Sequence, residues 1–183
     1  MSSAAPLEAG HLMPIVTTQQ EILKLLDGLP MPNGNYELQA YITPPDPETD
    51  YSNPHAYIWP AKGDESRNPA SGGAIPRNTG VFTPSGTKPI MHEMHVYLVW
   101  FSANDDPDAD TWFPGMVDAV MWALRTSPDP LPVTDPYTGL TNSQLVGIGE
   151  RMTYELVLRS TEDEAYDRYD ALITIHIWEI LQA

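Results

Sequence analysis

The segment 93–101 constrains the fold most, because it alternates like a β-strand and yet carries apolar residues on both of its faces. One face holds Met94, Val96, Leu98 and Trp100, and the other holds His95, Tyr97, Val99 and Phe101. Successive side chains of a strand point to opposite sides of its sheet. A strand that is apolar on both sides is typical of the centre of a covered sheet. We therefore predict a central strand, with helices packed on one side and a second layer on the other.

The segments 151–160 and 171–181 predict a C-terminal β-hairpin. One face of the first holds Met152, Tyr154, Leu156 and Leu158. In the second, Ile173, Ile175 and Ile177 lie opposite Leu172, Thr174, His176, Trp178 and Ile180. The residues between them, 162–170, are mostly acidic and predict the connecting loop. The same period-2 pattern predicts shorter strands at 36–42 and 56–59.

Two helices are predicted, the first of about 11 residues. Its apolar face repeats at helical spacing through Ile22, Leu25, Leu26 and Leu29. Thr18 and Glu21 have the spacing of a capping box at its start, and Gly28 with the two following prolines ends it. The second helix spans 112–125, with Thr111 as its N-cap and the aspartates of 105–110 near the positive end of its dipole.

The second predicted helix is apolar around most of its circumference. The residues concerned are Trp112, Phe113, Met116, Val117, Val120, Met121 and Leu124. A helix that is apolar on most sides is buried on more than one of them, which a chain of 183 residues achieves with difficulty. We therefore predict that it forms a subunit interface through Trp112, Met116, Val120 and Met121.

The stretch 60–90 is rich in proline and glycine and shows no sustained periodicity, which predicts a long loop. It also gathers four of the nine basic residues of the chain: Lys62, Arg67, Arg77 and Lys88. Only Asp64 and Glu65 oppose them there. One interpretation is a chance cluster in a solvated loop. The other is that the four cations contact a neighbouring subunit or an adjoining ring.

The chain as a whole is strongly acidic, with 25 Asp and Glu against nine Lys and Arg and a formal net charge of −16. Such a surface repels the phosphate backbone, so sequence-independent nucleic-acid binding is disfavoured. Cysteine is absent, which rules out disulfides and thiol chemistry within this sequence. We expect no membrane span and no secretory signal, because no apolar run is long enough and the first ten residues lack the required pattern.

No motif predicts a catalytic, metal or cofactor site. His92 and His95 are the best metal candidates, but their spacing on a strand points them to opposite faces of the sheet. Polar residues at a strand edge explain them better, and His11, His55 and His176 are isolated in the sequence. The aspartates of 105–110 lack the glycine and glutamate of a calcium-binding EF-hand loop. We therefore expect a protein that is not an enzyme and that uses no cofactor.

The order of the predicted elements resembles that of the tail-terminator proteins of long-tailed bacteriophages. The resemblance covers residues 17–181 and depends on the segments 21–26, 95–101, 112–124 and 169–179. It is least close over residues 60–90 and the first ten. Together with the patterns above, it predicts a mobile segment over residues 1–16 and one α+β domain over 17–183. The domain is expected to contain a mostly antiparallel sheet of about four to five strands packed by two helices, with the long loop 60–90.

The resemblance also implies a function in the virion. Tail terminators form a homohexameric ring that caps the tail tube and joins it to the head connector. The implied partners are further copies of this chain, the major tail tube protein and the head-closure or connector protein. DNA would pass through the acidic channel without specific binding, and assembly would take place in the host cytoplasm. Two alternatives remain: another neck component, such as a head-closure or tail-completion protein, and a small metal-binding or enzymatic domain using His92 and His95.

Overall fold

The described part of the chain has an α+β fold in which seven strands form one mixed sheet. The computed structural model describes residues 14–32, 34–43, 53–65, 88–103, 106–134, 139, 141–161 and 166–181. In chain order the elements are α1 (Pro14–Leu26), β1 (Gln39–Tyr41), β2 (His55–Glu65), β3 (Lys88–Ala103), α2 (Ala109–Arg125), β4 (Leu131–Thr134), β5 (Thr141–Val146), β6 (Met152–Thr161) and β7 (Tyr166–Leu181).

The two longest strands, β3 and β7, form the centre of the sheet. The strand order is β1-β2-β3-β7-β5-β4, and β6 pairs with β7 beside β5. Every pair is antiparallel except β1 with β2. β3 and β7 pair along their whole length, from Lys88 opposite Leu181 to Ala103 opposite Tyr166. The central position predicted for the segment 93–101 is therefore confirmed.

The second edge of β7 is divided between two strands. β5 pairs with its last residues, ending with Val146 opposite Trp178, and β6 resumes at Met152 opposite Ile175. The intervening turn leaves the sheet and packs against the end of α2. Gly149 has a φ of 90°, and a Cβ at this position would lie 2.8 Å from the Cα of Arg125. Only glycine allows this close approach of two backbones.

Both helices pack on the same face of the sheet and bury it. Ile22 and Leu26 of α1 join this core, as does Phe113 of α2, and all three have no exposed surface. The alternation in β7 brings Ile173, Ile175 and Ile177 to that face. Aromatic rings link the layers, because Tyr169 of β7 lies 5.5 Å from both Trp100 and Phe113, measured between ring centroids.

The predicted helix starts are wrong in both cases. α1 begins at Pro14, inside the segment expected to be mobile, so Thr18 and Glu21 lie within the helix and form no capping box. α2 begins at Ala109, so Thr111 is not its N-cap; Asp108 holds that position without a side-chain capping bond. Residues 1–13 lie outside the described residues.

The sheet is larger than predicted, because several segments form longer or additional strands. β2 continues through Ala61 to Glu65, into the stretch that we expected to be a loop. β3 and β7 also begin earlier than their patterns indicate, and β4 and β5 were not predicted. In the predicted strand 36–42, only Gln39–Tyr41 forms one. The C-terminal hairpin is confirmed as β6 and β7. Residues 66–87 of the predicted long loop lie outside the described residues.

Candidate assembly surface

The apolar residues of α2 are buried mainly within their own chain. Met116 and Val120 have no exposed surface and Met121 has 4%, because all three face the sheet core. Trp112 is partly buried and packs against the same core. These four residues therefore need no neighbouring subunit to be buried or partly buried, and the interface predicted through them stays a prediction. The exposed aromatic residue of this helix is instead Trp122, with 66% of its surface accessible.

The four cations of the stretch 60–90 fall on strands where the structure describes them. Lys62 is exposed on β2, opposite Glu93 of β3 in the strand register. Lys88 is the first residue of β3, and nothing is described of its side chain. Arg67 and Arg77 lie outside the described residues. Lys62 is thus part of the sheet, and the idea of a single loop carrying all four cations is wrong for the two positions that are described.

We call the face of the sheet opposite the helices the open face. It carries a row of aromatic rings. Tyr41 of β1 stacks on Tyr57 of β2 with ring centroids 6.1 Å apart. Tyr57 lies 6.3 Å from Tyr97 of β3, and Trp59 lies 5.9 Å from Tyr97. These are the separations at which aromatic rings attract one another. No described element covers this row, and Trp59 keeps 37% of its surface exposed. The second layer predicted over this face is not among the described residues.

A polar network fixes the centre of the aromatic row. The Tyr97 hydroxyl donates a hydrogen bond to Asp170 Oδ1 at 2.6 Å and accepts one from the Arg168 guanidinium at 3.0 Å. Arg168 also bonds Asp170, at 3.0 Å. The pKa of the Tyr97 phenol is raised above its ordinary value, first by burial and then by the adjacent Asp170 carboxylate, while Arg168 acts in the opposite direction. Tyr97 is therefore held in its neutral, hydrogen-bonding form.

Two histidines flank one carboxylate beside this row. His176 Nε2 lies 3.4 Å from one oxygen of Glu93, and His95 Nε2 lies 3.7 Å from the other. His176 is thus a sheet histidine with a partner, and it is not isolated in space as it is in the sequence. Among the described residues, no group of three or more His, Asp or Glu side chains has an arrangement suited to a metal ion.

A second polar cluster lies on the helix-covered face and is sealed from solvent. Glu179 of β7 accepts hydrogen bonds from Ser143 of β5 at 2.6 Å and from Thr18 of α1 at 3.4 Å. His92 Nε2 of β3 lies 3.0 Å from the same carboxylate. All four residues are at most 5% exposed. One carboxylate therefore joins four elements. The Thr18 hydroxyl bonds this carboxylate and lies inside α1, so it does not cap the helix.

The geometry of this cluster suits structural support better than catalysis. Among the described residues His92 Nδ1 has no hydrogen-bond partner, and Nε2 is the ring nitrogen that contacts Glu179. Ser143 donates to one oxygen of Glu179 and His92 contacts the other, and all three residues are at most 5% exposed, so they are poorly accessible to a substrate. His92 is also not a strand-edge residue as expected, because β3 is central. His92 and His95 do lie on opposite faces of the sheet, as their spacing predicts.

Sequence reasoning missed most of this arrangement. The alternation of β3 placed His95, Tyr97 and Phe101 on one face, but nothing local joined them to Tyr41, Tyr57 and Trp59. The contact of Ser143 with Glu179 depends on the register of β5 against β7. The period-2 pattern of residues 56–59 indicated that Tyr57 and Trp59 share one face of their strand, but the register shift between Pro60 and Lys62 prevents the same count from being continued to residue 65.

No described helix is both long enough and apolar enough to cross a membrane. A scan against models of protein families finds no match to this chain, and a search of curated proteins finds no relative.

Proposed function

We propose that this chain is a structural virion protein that assembles into a ring, caps the tail tube of a long-tailed bacteriophage and joins the tail to the head connector. The observation that carries the proposal is the continuous row of aromatic rings on the open face of an otherwise well-packed sheet. Contiguous groups of large aromatic side chains at a surface are typical of sites that bind other proteins, whereas a single exposed residue such as Trp122 is common on any folded chain.

The rigidity of the open face supports a role in protein contact. Its rings contact one another, and Tyr97 at its centre is held by Asp170 and Arg168. A pre-ordered surface loses little side-chain entropy when a partner binds, so more of the contact energy contributes to affinity. Both the neighbouring copy and the adjoining rings of a tail are partners of this kind.

The charge of the chain supports a position around DNA. A ring of six copies would carry six times −16, that is a formal charge of −96. Negative potential inside a channel keeps phosphate groups from adhering to its wall, so DNA can slide through it. The same acidity argues against a role that holds DNA in place.

The resemblance in element order supports the tail-terminator role over other ring-forming proteins. The described chain has the expected two helices on one side of a sheet and the terminal hairpin. The expected partners are the major tail tube protein on one side and the head-closure protein on the other. A different neck component would share the ring but would not bind the end of a tail tube.

The first experiment measures assembly and tail binding by the purified chain. Native mass spectrometry is expected to detect a ring of about six subunits, since such rings close by repeating one contact. Mixed with tails that lack their terminator, the protein is expected to cosediment with them. The variant Trp59→Ser should lose tail binding, while Trp122→Ser, which changes an exposed tryptophan of α2, serves as the matched control. A chain that stays monomeric at every concentration and binds no tails would refute the proposal.

A further inference from the structure

Two strands of the sheet keep one edge without a partner in the described part of the chain. On the outer edge of β2, β1 pairs only with residues 55–57. The next carbonyl, that of Ile58, accepts a hydrogen bond from the Gln19 amide. From Trp59 to Glu65 no described strand covers this edge. On the other side of the sheet, β6 pairs with β7 alone.

We propose that β6 of one copy adds to the uncovered edge of β2 in the next copy, with Glu155 opposite Lys62. This inference deepens the proposed function, because it rests on ring assembly and assigns the contact that closes the ring. It concerns only the contact between copies of this chain, and not the contacts with the tail tube protein or the head-closure protein. Uncovered strand edges expose unpaired backbone donors and acceptors, which a strand of another chain can satisfy.

The strand directions allow this pairing over a short stretch. β2 and β7 are both antiparallel to β3, and β6 is antiparallel to β7. Consequently β2 of one copy and β6 of a copy with the same sheet orientation run antiparallel. With Lys62 opposite Glu155, Glu65 falls opposite Met152. β4 then lies beyond the Met152 end of the paired stretch. At the other end β6 continues to Thr161, and the same register would bring its last residues opposite Tyr57 and Ala56, which β1 already covers. β6 therefore has to leave the edge of β2 after Glu155, and it has a register shift of its own between Val157 and Ser160.

The side chains of the two central residues fit the same register. Lys62 lies on the open face because its neighbour in β3 is Glu93. Glu155 lies on that face because its neighbour in β7 is Leu172. Both residues are exposed in the single chain. A joined sheet would place the two opposite charges side by side, which is a favourable cross-strand pair. The open face would then continue from copy to copy.

The β2 edge also carries features that discourage indiscriminate pairing. Pro60 has no N–H to donate, and the register of β2 shifts between Pro60 and Lys62. Prolines and bulges of this kind protect sheet edges from aggregation. They confine the proposed contact to Lys62–Glu65, so a partner must match a short stretch in both register and charge. The contact joins two different surfaces, and its repetition closes a ring when the rotation between neighbouring copies is a whole fraction of a turn.

The absence of cysteine from the sequence makes a direct test possible. A double variant, Lys62→Cys with Glu155→Cys, is expected to form a ladder of disulfide-linked species up to the full ring under mild oxidation. Each single variant should stop at dimers at most. The matched control, Lys62→Cys with Asp118→Cys on the exposed side of α2, should not form the ladder. If the wild-type chain forms rings but the Lys62–Glu155 pair does not crosslink, the edge pairing is wrong and the ring proposal stands.

A charge exchange tests the same contact without a covalent bond. Lys62→Glu and Glu155→Lys should each raise the dissociation constant of the ring on the order of tenfold, because like charges then face each other. The double exchange should restore it to near the wild-type value. Circular dichroism checks that each variant is folded. Failure of the double exchange to restore assembly would overturn the register, whereas a wild-type chain without rings would refute the proposed function instead.

Discussion

The two faces of the central sheet differ in how their side chains are satisfied. On the helix-covered face, alternate residues of β3 and β7 are fully buried, and the polar group at its end, Glu179, has all its donors within the chain. On the open face, aromatic rings contact one another but remain partly exposed. One strand can therefore contribute to folding with the residues of one face and to association with those of the other. Substitutions on the two faces should therefore separate stability from assembly.

The largest effect is expected from Met116→Ala on the covered face. Met116 has no exposed surface, so its truncation leaves a cavity, and the free energy of unfolding should fall by about 2–5 kcal/mol. Denaturant unfolding with an unchanged m-value measures this directly. The matched control is Trp122→Ala on the same helix, which should change stability by no more than about 0.5 kcal/mol. Equal losses in both variants would show that α2 is not buried within its own chain.

A smaller loss is expected from Glu179→Gln. The neutral amide cannot accept all three hydrogen bonds from Thr18, His92 and Ser143, so a buried donor is left unsatisfied at a cost of roughly 1–3 kcal/mol. Glu93→Gln on the open face is the control, since that carboxylate is 29% exposed and its pairing with two histidines contributes about 0.2–1 kcal/mol. If the two variants unfold at the same denaturant concentration, the buried cluster does not have the role assigned to it.

The smallest effect on stability is expected from Tyr97→Phe, at about 1 kcal/mol near neutral pH, because hydrogen bonds with Asp170 and Arg168 are lost. The raised pKa of Tyr97 adds a pH signature. Its stabilising contribution is present below the ordinary tyrosine pKa of about 10 and is lost as pH rises through the raised value. Wild-type stability should therefore fall more steeply than that of the variant in strongly alkaline solution. Tyr154→Phe, at an exposed position, should leave the wild-type profile unchanged.

The parts of the fold that could be predicted from sequence are those specified by local periodicity. The alternation in β3 and β7 indicated both strands and their buried faces, and the helical spacing of Ile22 and Leu26 indicated α1. The second half of β2 could not be found in this way, because Gly63 and Asp64 have low strand propensity and are held in the sheet by pairing with β3. Here long-range pairing overrides local preference.

The start of α1 shows a second limit of sequence patterns. Thr18 and Glu21 have capping-box spacing, but the helix begins four residues before Thr18, and the Thr18 hydroxyl bonds Glu179 of β7 instead. Only the folded sheet brings these two residues together. The candidate surface has the same character, since the aromatic row is assembled from three strands that are distant in sequence. The sequence patterns could assign each aromatic residue to one face of its strand, but they could not show which of these residues lie beside each other in the sheet.

The central place of β7 also determines when the chain can fold. β7 pairs with β3 across more than sixty residues of intervening chain, and it follows every other described strand in the sequence. Such non-local pairing makes folding slow, because a long loop must close before any contact is gained. No described part of the sheet beyond β3 can attach until residues 166–181 have left the ribosome. Shortened translation products would therefore lack the β7 side of the core, with Ile173, Ile175 and Ile177.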